Sequence, residues 1–212
     1  MSSGACLRSI STEPGISARA AQGASDAGIA QLVRQGDPRG ATLVWDRYAG
    51  MVRGVVYRAV GPGHETEDLV QEVFAGLFKN PGMLREPSAL RPFLVSIAMR
   101  KARTALRRRR ARSWLRLSVD GTLPEVVTQD GDPRVREAVR RLFAILNDLD
   151  DRGRLAFVLR HAEGYELTEV AAALGVSLAT IKRALARAEA HVHRRARNDD
   201  ILCAWTEARE GD

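Results

Sequence analysis

Apolar residues in this chain recur at the spacing of a helix, and nowhere do β-branched runs alternate at the spacing of a strand. Leu69, Val70, Val73, Phe74, Leu77 and Phe78 fall at i, i+1, i+4, i+5, i+8 and i+9, one stripe along a helix. The breaks between such stripes are equally plain. Asp37-Pro38 sets a capping Asp before a Pro at the first helical position, and Gly61-Pro62-Gly63 stops the helix that begins there. Leu43, Val44, Tyr48, Met51, Val52, Val55 and Val56 form its apolar side. The next helix starts near Thr66 and ends at Asn80-Pro81-Gly82. A third follows Pro87-Ser88, with Phe93, Leu94, Ile97, Ala98, Ala102, Ala105 and Leu106 inward. An all-α fold is the expectation.

After Ser118 the helical period lapses. Gly, Pro, Thr and acids run to Gly131 and read as a linker. Asp132-Pro133 then repeats the capping device and opens a helix expected to bury Val135, Val139, Leu142, Phe143 and Leu146. Another runs from about Asp151 to Gly164, and two more span Leu167–Leu174 and Leu178–Arg195. The chain therefore divides into a disordered tail (1–25), a helical domain (26–112), an acidic linker (113–132), a second helical domain (133–197) and an acidic C-terminal tail (198–212). That is two small helical domains joined by a flexible linker. The last tail, with Ile201, Leu202 and Trp205, reads as a capping helix or a regulatory contact.

The strongest local motif is ELTEVAAALGVSLATIKRALARA, Glu166 to Ala188. Ala171 is small where two helices must cross closely, and Gly175 can adopt the left-handed turn between them. Val170, Leu174, Val176, Ile181 and Leu185 are apolar where a helix-turn-helix packs inward, and Ser177 can cap the second helix. That helix begins with Leu178, Ala179, Thr180, Lys182 and Arg183, where a recognition helix meets base edges. Arg187, Arg194 and Arg195 suit phosphates.

Charge fits a polyanionic partner. The net charge is +7, and 30 of the 33 bases are Arg. Arg100 to Arg116 holds nine bases and no acid, and Leu178 to Arg197 holds six bases and one acid. Leu117 to Pro133, between them, holds four acids and no base, and Glu65, Glu67, Asp68 and Glu72 form another acidic block. Two basic blocks with an acidic spacer suit two sites on one extended polyanion; the plainer reading is two solvated helix faces. The single aromatic near the first block, Trp114, is either a stacking platform for an unstacked base or an anchor for the linker.

Other classes find no support. No apolar run approaches the roughly 18–20 residues of a membrane helix, and the N-terminus has no secretory signal pattern. Cys6 and Cys203 lack partners at metal-ligand spacing, so plain thiols in a cytoplasm are expected, without metal or cofactor. His64, His161, His191 and His193 are scattered, and no phosphate loop or nucleophile elbow occurs, so no catalytic residues are expected.

Taken together, these segments resemble one family, the bacterial RNA polymerase sigma factors of the extracytoplasmic-function (ECF) group. DLVQEVFAGLF, Asp68 to Phe78, is similar to the family's polymerase-docking helix. RPFLVSIAMRKARTALRRRR is similar to the helix that melts and reads the minus-ten element, and the helix-turn-helix segment resembles the domain that reads the minus-thirty-five element. The resemblance covers about Ile29 to Arg197. It implies polymerase contacts by Asp68, Gln71 and Glu72. It implies minus-ten contacts by Lys101, Arg103, Thr104, Arg107 and Arg108, and minus-thirty-five contacts by Ser177, Thr180, Lys182, Arg183 and Arg187. It also implies core RNA polymerase and promoter DNA as partners, an anti-sigma factor as a further one, and no membrane insertion. The chain departs from the family's usual residues at Phe93 (Trp), Arg100 (Asn), Thr104 (Asp), Glu166 (Ser) and Ala179 (Gly). The rivals are a regulator that uses the helix-turn-helix alone, and a sigma-like mimic that binds a regulatory partner without initiating transcription.

Overall fold

The structure, a computed structural model, describes residues 25–63, 65–84, 86–115 and 133–203, with backbone only at 113–115. Among the described residues every regular element is helical. The chain runs through α1 (Asp26–Arg34), α2 (Pro38–Val60), α3 (Glu65–Lys79) and two short 3₁₀ turns (Pro81–Met83 and Pro87–Ala89) to α4 (Leu90–Leu115). After the intervening segment come α5 (Pro133–Asn147), α6 (Asp151–Phe157) continuing into a π turn (Val158–Ala162), α7 (Leu167–Leu174) and α8 (Leu178–Arg197).

The punctuation acts as the sequence implies. Asp37 accepts a hydrogen bond from the Arg39 N–H at 2.9 Å ahead of Pro38. Gly61, at φ 85°, closes α2. Gly175, at φ 64° and ψ 41°, closes α7 in the left-handed conformation. The Ser177 hydroxyl caps α8 by accepting from the Thr180 N–H at 3.3 Å.

Helix α1 has no counterpart in the sequence reading. Ser25 caps it by accepting from the Gly28 N–H at 3.1 Å, and Ile29, Ala30 and Val33 are buried. The Arg47–Asp26 pair, at 2.9 Å, ties it to α2. The two backbones come close at Gly40, where a Cβ would lie 2.8 Å from the Val33 nitrogen and 2.9 Å from the Leu32 carbonyl carbon.

Helix α4 is the pivot of the fold. Leu90, Leu94, Val95, Ile97, Ala98, Met99, Ala102, Ala105 and Leu106 are buried and wrap more than half of its circumference. The width reflects two coverings. Helices α2 and α3 pack on one part, and α6 and α7 on another. Leu155, Leu159, Val170, Ala171, Ile181 and Leu185 of the C-terminal half join the same hydrophobic cluster as Val56, Phe74 and Leu94. A tether between two domains implies halves that need not touch; here they share a core. A smaller cluster holds Ala138, Phe143, Ile145, Leu146, Leu149, Val158, Ala188, Val192 and Leu202.

One local expectation changes and another is narrowed. Val135 is 42% exposed, and the buried stripe of α5 begins at Ala138, one turn later. The start of the C-terminal tail is a cap: the Ile201 and Leu202 N–H groups donate to Asp199, which pairs with Arg141 at 2.9 Å, and Leu202 is buried. Trp205, the Ser118–Gly131 linker, residues 1–24 with Cys6, and the Trp114 side chain lie outside the described residues.

The approach at Gly40 yields a test of the α1–α2 packing. Gly40→Ala sets a methyl against main-chain atoms, which cannot rotate away, and should cost about 1–3 kcal/mol. A lower urea midpoint is the expected result; an unchanged midpoint would show that the two helices are not this close.

Candidate nucleic-acid interface

The basic block on α4 divides into two groups with different tasks. Arg109 donates to the Val60 carbonyl at 2.6 Å and to Glu65 at 2.9 Å, and Arg112 reaches Glu65 at 2.6 Å. Arg110 donates to the Leu149 carbonyl and lies 3.4 Å from Asp151. Burial acts to raise the Glu65 pKa, but hydrogen bonds from Arg112 and Arg109 outweigh it and hold the carboxyl below its ordinary value. These arginines serve the fold.

The other group faces outward. Arg100, Arg103 and Arg107 lie at i, i+3 and i+7, so they share one side of α4. Thr104 sits among them and Arg108 follows at the edge. Arg100, Thr104, Arg107 and Arg108 are exposed and Arg103 is half-buried. Among the described residues no acid pairs with any of the four arginines. Thr104 turns its hydroxyl to its own helix, donating to the Arg100 carbonyl at 3.1 Å. Lys101 is also engaged, 2.8 Å from Glu72. Of the five candidate minus-ten residues, three therefore present uncommitted guanidinium groups. Arg100, which the resemblance did not assign, stands in the same row.

The acidic face of α3 divides in the same way. Glu65 holds Arg109 and Arg112, Glu67 holds Arg53 at 2.6 Å, and Glu72 holds Lys101. Asp68 and Gln71 are exposed, and among the described residues neither has a partner. Beneath them Leu69, Val70, Val73, Phe74 and Leu77 anchor the helix. The polymerase candidates are thus two open groups and one paired carboxylate.

The helix-turn-helix is formed by α7 and α8. Val170, Ile181 and Leu185 are buried, and Ala171 is 7% exposed where the helices cross. The first turn of α7 is tied by the Glu169 carboxylate, which accepts from the Glu166 N–H at 2.8 Å. Ser177 and Thr180 share a hydroxyl–hydroxyl hydrogen bond of 2.8 Å, so they fix the start of α8 as well as facing outward. Lys182, Arg183 and Arg187 are exposed, and among the described residues no acid pairs with them. The acid within α8, Glu189, is occupied by His161 at 2.9 Å, and Arg195 lies 3.3 Å from Asp148. The outward side of α8 is therefore cationic, as a helix in a major groove requires.

Among the described residues no group of three or more His, Cys, Asp or Glu could hold a metal ion, and no helix is long and apolar enough to cross a membrane. Sequence reasoning missed Arg154, on α6, which is 2% exposed. It donates through Nε to the Ala59 carbonyl at 2.6 Å and through Nη1 to Asn147. Burial first, and then the charges of Arg109 and Arg110, bring its pKa down to about 10, so it remains charged at neutral pH. Nothing in its sequence neighbourhood separates it from the exposed arginines.

Comparison with known proteins gives two family matches, Sigma-70 region 2 over residues 44–112 and Sigma-70, region 4 over residues 139–192. RNA polymerase sigma factor CarQ of Myxococcus xanthus is 33% identical over 62% of this chain and 74% of its own length. ECF RNA polymerase sigma factor SigG of Mycobacterium tuberculosis is 32% identical over 64% of this chain and 43% of its own. The ECF RNA polymerase sigma-E factor of Haemophilus influenzae is 27% identical over 77% of this chain and 91% of its own. Two solved structures share the fold. CnrH in complex with the cytosolic domain of CnrY has a TM-score of 0.61 at 24% identity, covering 82% of this chain and 99% of that one. The sigma factor RpoE of Bartonella quintana, in complex with the anti-sigma factor NepR, has a TM-score of 0.56 at 19% identity, covering 71% of this chain and 92% of that one.

The open face of α8 makes a measurable claim about charge. Replacing Arg187 by Ala should weaken binding to duplex DNA of many sequences alike and reduce the slope of log K against log salt by about 1. A slope identical to that of the unaltered chain would remove Arg187 from the contact surface.

Proposed function

Because the chain belongs to the ECF group of RNA polymerase sigma factors, we propose that it binds core polymerase, reads minus-thirty-five and minus-ten promoter elements, and promotes DNA melting for initiation. The observation that carries the reading is the sorting of charge. On α3, α4 and α8 the candidate side chains without internal partners among the described residues are two polar groups on one helix and arginine or lysine rows on the other two.

Each row suits its task. The N-terminal turns of α8 would enter the major groove of the upstream duplex. Lys182 and Arg183 stand near base edges there and Arg187 near phosphates. A good base contact of this kind is worth about 1–3 kcal/mol. Arg103, Arg107 and Arg108 would hold the phosphates of a strand that has lost its stacking partners, with Arg100 extending that row. Thr104 and Lys101 lie at the same surface with prior partners, so their part depends on exchanging those bonds for DNA. Asp68 and Gln71 would meet the polymerase directly, and Glu72 would do so only by releasing Lys101. Neither DNA contact is strong alone; joined on one polymerase, each raises the effective concentration of the other.

Family membership places the chain among sigma factors, which are not a family of catalytic enzymes. It leaves the regulator and the mimic as rivals. A helix-turn-helix regulator has no use for the open face of α3. A mimic binds a regulatory partner without opening DNA. An anti-sigma factor remains a proposed further partner, which the NepR-bound structure of the similar sigma factor supports.

The test is transcription with purified core polymerase on promoters mapped after overexpression of the chain. Chain-dependent transcripts are expected, and an absence of detectable core binding at low salt contradicts the reading. Changing Asp68 and Gln71 together to Ala should weaken core binding at least tenfold and leave DNA binding by the chain intact. Glu67→Ala, which removes only the partner of Arg53, should leave both core binding and DNA binding unchanged. Equal losses in both variants would contradict the assignment of Asp68 and Gln71 to the polymerase.

A further inference from the structure

The tip of α8 carries an apolar side chain that the core leaves partly uncovered. The buried stripe of the helix is Ile181, Ala184, Leu185, Ala188 and Val192. Leu178, the first residue of the helix, is 36% exposed. Ala179, beside it, is exposed as well. A single exposed leucine is ordinary on a protein surface; the surroundings of this one are more particular. Leu178 stands four residues before Lys182, and Ala179 four before Arg183, so each shares a side of the helix with a base that no acid pairs with among the described residues. Two short lines result, each with an apolar group at the tip and an open cation about 6 Å behind it.

The hydroxyls at this end are already committed. The Ser177 Oγ accepts from the Thr180 N–H at 3.3 Å and shares a 2.8 Å hydrogen bond with the Thr180 hydroxyl. The Ser177 carbonyl accepts from the Ile181 N–H at 3.1 Å. The first turn is therefore fixed, and Leu178 is held at its head by the cap and the backbone. With Ser177 and Thr180 engaged, the tip offers a base edge apolar surface in place of hydrogen-bonding groups. The major groove displays one apolar group, the C5 methyl of thymine. A leucine laid on that methyl removes apolar surface from water on both sides. Laid on the amino group of cytosine or adenine, it would strip water from a donor and return no hydrogen bond.

We propose that Leu178 is a specificity-determining residue of the recognition helix, and that it selects a thymine in the upstream element by contact with the thymine methyl group. The proposal rests on the sigma reading given above and deepens it at one base. Lys182, on the same side of α8, would then meet the edge or phosphate of a neighbouring base pair, since about 6 Å along the helix matches roughly two base-pair steps of 3.4 Å. Ala179, one residue on from Leu178, is small enough to let the tip approach closely. The worth of one buried methyl sets the size of the effect, a factor of about four in affinity.

The test is a methyl-deletion cycle on a promoter mapped after overexpression, bound by the full chain together with core polymerase. Each thymine of the upstream element, on either strand, is replaced in turn by deoxyuridine, which lacks only the methyl. At one position at least, binding should weaken about fourfold. Leu178→Ala should bind the thymine duplex about three- to tenfold more weakly, and deoxyuridine at that position should then make no further difference. Leu178→Met, which keeps an apolar side chain of similar reach, should retain the sensitivity. Alanine is a strong helix former and the site is exposed, so Leu178→Ala should keep the urea midpoint of the unaltered chain. Should the midpoint fall, Leu178→Gln serves instead, with similar reach, no apolar end and the same loss of methyl sensitivity expected. An element without thymine, a scan with no sensitive position, or a deoxyuridine effect that persists in Leu178→Ala would overturn the proposal. So would a loss of core binding with DNA selectivity intact, which would set Leu178 against protein. Should the unaltered chain form no complex with core, the sigma reading falls, and the same cycle on a duplex that the free chain selects from a random pool decides the assignment of Leu178.

Discussion

The double covering of α4 is the constraint on which the remaining structure depends. A helix packed on one side needs an apolar stripe of about a third of its surface. Helix α4 buries more than half, because α2 and α3 take one part and α6 and α7 another. What remains is somewhat less than half of the circumference, and Arg100, Arg103 and Arg107 lie within it. The row of Arg100, Arg103 and Arg107 is held on a helix anchored by α2 and α3 whether or not α6 and α7 remain packed on it. A rigid base of this kind suits the binding of a strand with little order of its own, since the protein supplies the fixed spacing.

Charge is distributed on a second principle. Acids of α3 neutralise the bases that would otherwise crowd the end of α4: Glu65 takes Arg109 and Arg112, and Glu72 takes Lys101. Each exposed pair contributes little stability, at most about 1 kcal/mol. Their effect is selection. By occupying some side chains and leaving others open, they reduce two broad charged blocks to short rows, and Arg103, Arg107 and Arg108 stay open for a polyanion.

Much of this was legible before any coordinates. The Asp37-Pro38 start, the stop at Gly61 and the left-handed turn at Gly175 follow from local backbone chemistry, which a sequence displays directly. The buried stripe of α3 and the inward residues of α7 and α8 follow from helical periodicity. Helix α1 was missed because it is short and its inward residues are Ile29, Ala30 and Val33, too few to stand out, although Ser25-Asp26 offered a cap. The division of each charged block was not legible, since it depends on which residue of another helix lies opposite. The same holds for Arg154: a buried arginine in a chain rich in exposed ones is identified only by the carbonyl it reaches. The packing of the two halves lay beyond local signals for the same reason.

The central claim is that α4 and α8 meet two separated stretches of one promoter. Photo-crosslinking tests it most directly. A benzophenone side chain is placed at Thr104 in one preparation and at Ala179 in another, each is bound with core polymerase to the same promoter, and the adducts are mapped to the base. The account predicts a single-strand adduct from position 104 in the melted region and a duplex adduct from position 179 lying about 25 base pairs upstream. Adducts from both positions within a few base pairs of each other, or from position 179 alone, would contradict it.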